Sequence, residues 1–291
     1  MVLEYILSPK EAKRKPWELI AVSFLFVSFG VLTQLLIPSL EGSVIIFAMV
    51  PLIPLFFVVL AGEESAEARF SKLKTEVDSW KKVLKALKQD EKPALFPFAL
   101  AHRFKRVVNV HKDLIELFGF LFIGAVIAYA FWFSVLPQEV SYNLFYPQLQ
   151  ELKTIRSTIT ANVFSDNLFQ YLLSHNLQVL LLMLLFSVIY GIGALYLLLW
   201  NASIIGVVLG ERMIQQGLAG TVVGLLGLIP HGIFEISSYF IGAIAGGILS
   251  IAIMKSAYKK PFFKYLVEDV VLLAGMAFLL LLVGAFIEAS Y

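Results

Sequence analysis

The chain has 291 residues, of which 59% are hydrophobic and 15% charged, and its mean hydropathy is +0.84. Soluble domains carry about 25% charged residues and roughly 45–50% apolar ones. A soluble chain of this composition could not cover its own surface with polar groups, which excludes a secreted or cytosolic globular enzyme and a disordered protein. The formal charge of +2 makes any functional charge local, and the absence of cysteine excludes disulfides, thiolate metal sites and thiol nucleophiles.

Met1 to Pro16 carries Lys10, Lys13, Arg14 and Lys15, and an apolar stretch follows over 17–37. That stretch is too long for a signal-peptide core and no Ala-x-Ala cleavage site follows it. It reads as a first spanning helix, entered from the cytoplasm. A second span runs over 43–61, with a kink or local unwinding expected at Pro51 and Pro54, since each proline removes a backbone donor. From 62 to 113 the composition shifts to twelve Lys/Arg and eight Asp/Glu. Within it Phe70, Leu73, Val77, Trp80, Leu84 and Leu87 follow the a/d spacing of a heptad seam. Pro93 and Pro97 break that helix, and the basic run His102, Arg103, Lys105, Arg106, His111 and Lys112 faces anionic lipid headgroups.

A third span covers 117–136 and Pro137 ends it. The loop 137–176 holds only Lys153 and Arg156 as basic residues, with a short amphipathic helix on Leu149, Leu152, Ile155 and Ile159. Ser165, Asp166 and Asn167 are good caps for a helix leading back into the membrane. The apolar run 177–210 is too long for one simple crossing, and Asn201 inside it marks the expected break. Residues 219–229 make only about 16 Å of helix, half a hydrocarbon core. Pro230-His231-Gly232 then reads as a helix break, with 233–254 long enough to span and a last span over 270–287. Basic residues cluster before the first span, in 62–113, and at Lys255, Lys259, Lys260 and Lys264. If 219–229 rises from the cytoplasm and 233–254 returns, every cluster lies inside and the C-terminus outside, as the positive-inside rule asks.

His231 and Glu235 are the sharpest polar pair. Four residues apart, they share one face of a helix inside a long apolar stretch. Either they pin a re-entrant turn or they form a site at a broken helix, as in transporters. A zinc site needs three or four ligands; His102, His111 and His175 are assigned to loops, so no metal and no cofactor is expected. There is no Gly-x-Ser-x-Gly elbow and no intramembrane Asp pair, and Glu63, Glu64 and Arg69 have the wrong spacing for a prenyl-processing protease. The chain is expected not to be an enzyme. Gly206 with Gly210, Gly220 with Gly224, and Gly242 with Gly246 recur at four-residue spacing, which lets helices approach closely in a bundle or at a subunit interface.

These residues carry a resemblance. Trp200-Asn201-Ala202-Ser203-Ile204-Ile205-Gly206, His231-Gly232-Ile233-Phe234-Glu235 and Ala245-Gly246-Gly247 resemble the stage II sporulation protein M family of integral membrane proteins. Lys15-Pro16-Trp17-Glu18 and Glu63-Glu64 resemble its archaeal branch. In sporulating bacteria the family member anchors a wall-degrading complex during engulfment; an archaeal member would have neither spores nor murein, so that role is not implied for this chain. The resemblance brings no catalytic residues; Asn201, His231 and Glu235 match its motifs.

The expected architecture is an all-α polytopic membrane protein of six or seven segments, one of them broken or re-entrant near Pro230. It divides into an N-terminal transmembrane hairpin (1–61), a cytoplasmic helical insertion (62–113) and a C-terminal transmembrane bundle (114–291). The expected function is a scaffold or organiser of a membrane-associated complex in the cell membrane, with the N-terminus cytoplasmic. The alternative is a transporter- or channel-like protein with its site around His231 and Glu235. Membrane lipids and either further copies of the chain or other membrane proteins are the expected partners, and nucleic acid is not.

Overall fold

A computed structural model describes residues 15–37, 44–61, 112–162, 168–190, 194–254, 256–259 and 263–290. They form helices α1 (Glu18–Leu36), α2 (Val44–Ala61), α3 (Lys112–Val135), α4 (Gln138–Leu144), α5 (Tyr146–Asn162), α6 (Leu168–Tyr190), α7 (Ala194–Met254) and α8 (Phe263–Ala289), with a short 3-10 turn at Ala257–Lys259. No strand occurs among the described residues. Five of the helices are long and apolar enough to cross a bilayer, and α2 contributes a shorter apolar helix over Val44–Ile53. The protein is an all-helical, multi-pass membrane protein. The heptad seam Phe70, Leu73, Val77, Trp80, Leu84 and Leu87 lies outside the described residues, as do Glu63, Glu64, Arg69 and the basic run 102–111.

Local chemistry sets the helix ends. Pro16 and the Lys15–Glu18 ion pair, at 3.2 Å, start α1 with an acidic residue beside the N-terminal end of its dipole. Leu136-Pro137 stops α3, because the ring of Pro137 disfavours the helical conformation of its predecessor. Helix α6 starts at Leu168, and the expected caps Ser165, Asp166 and Asn167 lie outside the described residues. α2 stays helical across Pro51 and Pro54.

Helix α7 holds the main topological event. Its one non-helical residue is Gly217, at φ 66° and ψ −163°, a conformation open essentially to glycine alone. There the chain reverses. The place a Cβ would take on Gly224 is filled by the Arg212 side chain, and that on Gly220 by Gln216. In a continuous helix Arg212 and Gly224 would stand about 18 Å apart. Thr221 also donates to the Met213 sulfur at 3.5 Å. Helix α7 is therefore a hairpin of α7a (194–216) and α7b (218–254).

This corrects the expected break near Pro230. Residues 219–229 are not a separate re-entrant segment; they are the first turns of α7b, which runs helical through Pro230, His231 and Gly232 to Met254. Proline already has a helical φ, and a membrane helix tolerates its missing donor. The apolar run 177–210 divides where α6 ends at Tyr190 and α7a begins at Ala194, so Asn201 is inside a helix rather than at a break. Asn176 lies well inside α6, not at the end of a loop.

Close backbone contacts fix the bundle. α1 runs parallel to α3: Gly124 meets Ile20 and Ser23, Ser23 donates to the Leu121 carbonyl at 2.7 Å, and Trp132 Nε1 donates to Ser28 Oγ at 2.8 Å. α2 packs back on α1 where Gly30 faces Val44 and Ala48. α7a runs parallel to α3 through Gly206 at Tyr129 and Gly210 at Phe133. α6 runs parallel to α7b, with Gly242 against Leu180, Gly246 against Leu184 and Ser187, and Ser187 Oγ donating to the Ala243 carbonyl at 2.8 Å. α8 returns along α7b and brings Gly284 against His231 and Glu235. Taken in chain order, α1, α2, α3, α6, α7a, α7b and α8 alternate in direction. All three glycine pairs singled out in the sequence are sites of close approach within the chain; Gly220 and Gly224 close the α7 hairpin itself.

Candidate functional site

The polar residues of the bundle gather where α6, α7b and α8 meet. Asn176 on α6 is almost fully buried, and its Nδ2 donates to Glu235 Oε1 at 2.7 Å. The buried Tyr239, one helical turn beyond Glu235, donates from its hydroxyl to Asn176 Oδ1 at 3.1 Å. One amide thus links a carboxyl and a phenol, and its donor and acceptor ends are both used. The carboxyl of Glu288, near the end of α8, lies close to that of Glu235.

The approach of α8 depends on Gly284. A Cβ there would lie 3.0 Å from Glu235 Cγ and 3.4 Å from the His231 carbonyl oxygen. Glu288 is four residues on, so it stands one turn further along the same face. The Glu235 side chain is therefore bonded to α6 and closely approached by α8. His231, one turn before Glu235, meets Gly284 through its backbone carbonyl. Asn201 lies on α7a, where its Nδ2 donates to the Leu197 carbonyl at 2.8 Å, an intrahelical bond that needs no third helix. The motif residues Asn201 and Glu235 are thus held by different partners. His175 stacks on Tyr171, its neighbour one turn back in α6, with ring centroids 6.2 Å apart.

A second polar contact holds the tip of the α7 hairpin. Arg156 on α5 donates to Glu211 at 2.6 Å, with Glu211 largely covered and Arg156 half exposed. α5 is amphipathic, as its sequence predicts: Leu152 is buried and Leu149 packs on the core, whereas Gln150, Lys153 and Thr154 face outward.

Beyond this contact the hairpin is poorly covered by the other described residues. α6 begins about two turns before Asn176, and α8 ends little more than one turn past Gly284, but α7b begins more than four turns before Glu235. The first turns of α7b therefore stand past the ends of both neighbours. Leu218, Val223 and Leu226 are 69, 63 and 60% exposed, and Val222, Leu225, Ile229 and Ile233 continue the apolar face.

Asn176, Tyr239, Glu288, Arg156 and Glu211 were not singled out in the sequence. Tyr239 carried a signal, since it follows Glu235 by the same four-residue step that links His231 to Glu235. Asn176 and Glu288 carried none, because each sits at the edge of an apolar run, where a polar residue is ordinary.

A family model described as Stage II sporulation protein M matches residues 117–291, which run from the second turn of α3 through α8. An uncharacterised protein of Methanocaldococcus jannaschii is 30% identical over 123 residues, covering 41% of this chain and 68% of the relative. No solved structure matches the chain.

Proposed function

Because the chain belongs to the stage II sporulation protein M family, in its archaeal branch, we propose that it is an integral scaffold of the cell membrane that organises a membrane-associated complex and is not an enzyme. The carrying observation is the division of labour between interior and surface. Inside, three polar contacts tie helix to helix: Glu235 to Asn176, Asn176 to Tyr239, and Ser187 to the Ala243 carbonyl. Outside, the apolar face of α7b from Leu218 to Ile233 is left uncovered by the protein's own described helices. Large apolar surface of this kind is met by lipid or by another membrane protein.

The alternating helix directions support seven crossings. The start of α1 and the insertion between α2 and α3 then share one face, and the α7 hairpin tip and the end of α8 share the other. Lys/Arg clusters before α1, in 62–113 and at 255–264 favour the first face as cytoplasmic. Further copies of the chain or other membrane proteins are the partners of the α7b face, and the insertion is the cytoplasmic arm.

A photo-crosslinking amino acid at Leu226 of the full chain in native membranes tests the reading. Scaffolding gives one discrete protein adduct, and that adduct disappears when the same face is made polar by Val222→Ser together with Val223→Ser. Adducts to lipid alone would overturn it, as would ion or solute flux through the purified protein in liposomes.

A further inference from the structure

Helix α6 has two faces. Leu172, Asn176, Leu180, Met183 and Ser187 are buried, with Asn176, Leu180 and Ser187 against α7b. Two positions out of step, Gln170, Ser174, Gln178, Leu181 and Leu185 are exposed. Their 4-4-3-4 spacing makes one outward stripe of the kind that seams one helix against another. The stripe is polar over its first half and apolar over its second.

Gln178 stands at the centre of both the stripe and the helix. It is the eleventh of the 23 residues of α6, about 15 Å from the helix start, which in a spanning helix is the middle of the hydrocarbon core. Its amide has no hydrogen-bond partner among the described residues. Ser174, one turn back, donates its hydroxyl hydrogen to the Gln170 carbonyl at 2.7 Å and keeps only acceptor capacity. Lipid tails offer neither donors nor acceptors, so an outward amide at this depth is costly until another polar group meets it.

A second copy of the chain supplies that group by symmetry. Two copies in one membrane are related by a two-fold axis along the membrane normal, and a residue on that axis meets its own equivalent at the same depth. A glutamine amide both donates and accepts, so each Nε2 can donate to the other copy's Oε1 and neither amide is left unsatisfied. A helix of another protein would have to carry its own polar side chain at that depth. Below the amides, Leu181 and Leu185, 57 and 50% exposed, pack on their equivalents.

We propose that the outer stripe of α6 is a self-association face, on which two copies dimerise as parallel helices through a reciprocal Gln178 amide pair. The contact stands apart from the uncovered face of α7b, and separate crosslinks, at Leu181 and at Leu226, read the two.

The full-length chain has no cysteine, so single cysteines report the contact in native membranes. Under mild oxidation Leu181→Cys and Leu185→Cys should give a disulfide-linked species of twice the chain mass. Leu25→Cys, at a 61% exposed position on α1, should not. Equal yields at 181 and 25 would mean random collision and overturn the proposal. Energy transfer between donor- and acceptor-labelled copies in liposomes, followed as lipid dilutes the protein, gives the dissociation constant. Gln178→Leu should weaken the dimer by roughly five- to thirtyfold, with an unchanged unfolding midpoint because the side chain faces outward. A wild-type protein that stays monomeric at every dilution overturns the proposal, and this outcome needs no variant to fold. A Gln178→Leu dimer as tight as the wild type overturns the amide pair.

Discussion

Arg212 and Gly224 face each other across a helical hairpin, the arginine side chain filling the space that a Cβ on the glycine would need. Twelve positions separate them in sequence, and the contact exists because Gly217 reverses the chain between them at a φ of 66°. Gly217→Ala is therefore expected to destabilise the protein by about 1–3 kcal/mol, since a Cβ makes that conformation costly. Gly227→Ala on the uncovered face of α7b, where nothing lies within 4 Å, should be neutral or slightly stabilising. Thermal unfolding of both variants in one detergent checks this, and equal midpoints would mean that Gly217 adopts another conformation.

Gly246 and Gly247 make a sharper comparison, because they are adjacent. A Cβ on Gly246 would lie 2.5 Å from the Leu184 carbonyl oxygen and 2.6 Å from Ser187 Cβ, whereas one on Gly247 meets nothing within 4 Å. Backbone cannot move aside as a flexible side chain can. Gly246→Ala should cost about 1–3 kcal/mol and loosen α6 from α7b, while Gly247→Ala should be tolerated. The order of their unfolding midpoints decides whether α6 packs in this register.

Asn176 holds Glu235 with one end of its amide and Tyr239 with the other. Asn176→Leu leaves a buried carboxyl and a buried phenol each short of a partner, at about 1–3 kcal/mol. A double-mutant cycle of Asn176→Leu with Glu235→Leu should show a coupling of at least about 0.5 kcal/mol. The same cycle with His231→Leu in place of Asn176→Leu should show a smaller coupling. Additivity in the Asn176 cycle would mean that the two side chains do not interact.

The alternation of helix directions predicts a labelling pattern. Single cysteines at Gln215, on the hairpin tip, and at Ser290, past α8, should react with an impermeant reagent from the same side of the membrane. Cysteines at Lys112 and Tyr258 should react from the other side. Labelling of positions 215 and 290 from opposite sides would break the seven-crossing topology.

Arg156 and Glu211 form a contact of different strength. Arg156 is more than half exposed, so Arg156→Gln should lower stability by less than about 1 kcal/mol. Its visible effect should be local. Hydrogen exchange should quicken over 146–162 as α5 loses its tie to the hairpin tip, and salt should produce the same effect in the wild type. Unchanged exchange in that helix would leave its apolar residues as its anchor.

Composition and periodicity alone established that this is an all-helical membrane protein, where its main apolar segments lie, and that α5 is amphipathic through Leu149 and Leu152. Those properties are local, since bilayer thickness sets segment length and side-chain spacing sets which face is apolar. Only the tertiary structure decided where the chain reverses and which polar groups meet. Pro230 looked like the break because proline removes a donor, yet its φ suits a helix and α7b passes through it; the reversal falls at Gly217, where the absence of a Cβ permits a positive φ. Spacing pairs Glu235 with His231, but its hydrogen bond goes to Asn176, 59 positions away, and it is approached by Gly284, 49 positions away. Such partners are chosen by the register between helices, and that register is set by close-packed contacts such as Gly246 on Leu184 and Gly284 on Glu235, which no single segment encodes.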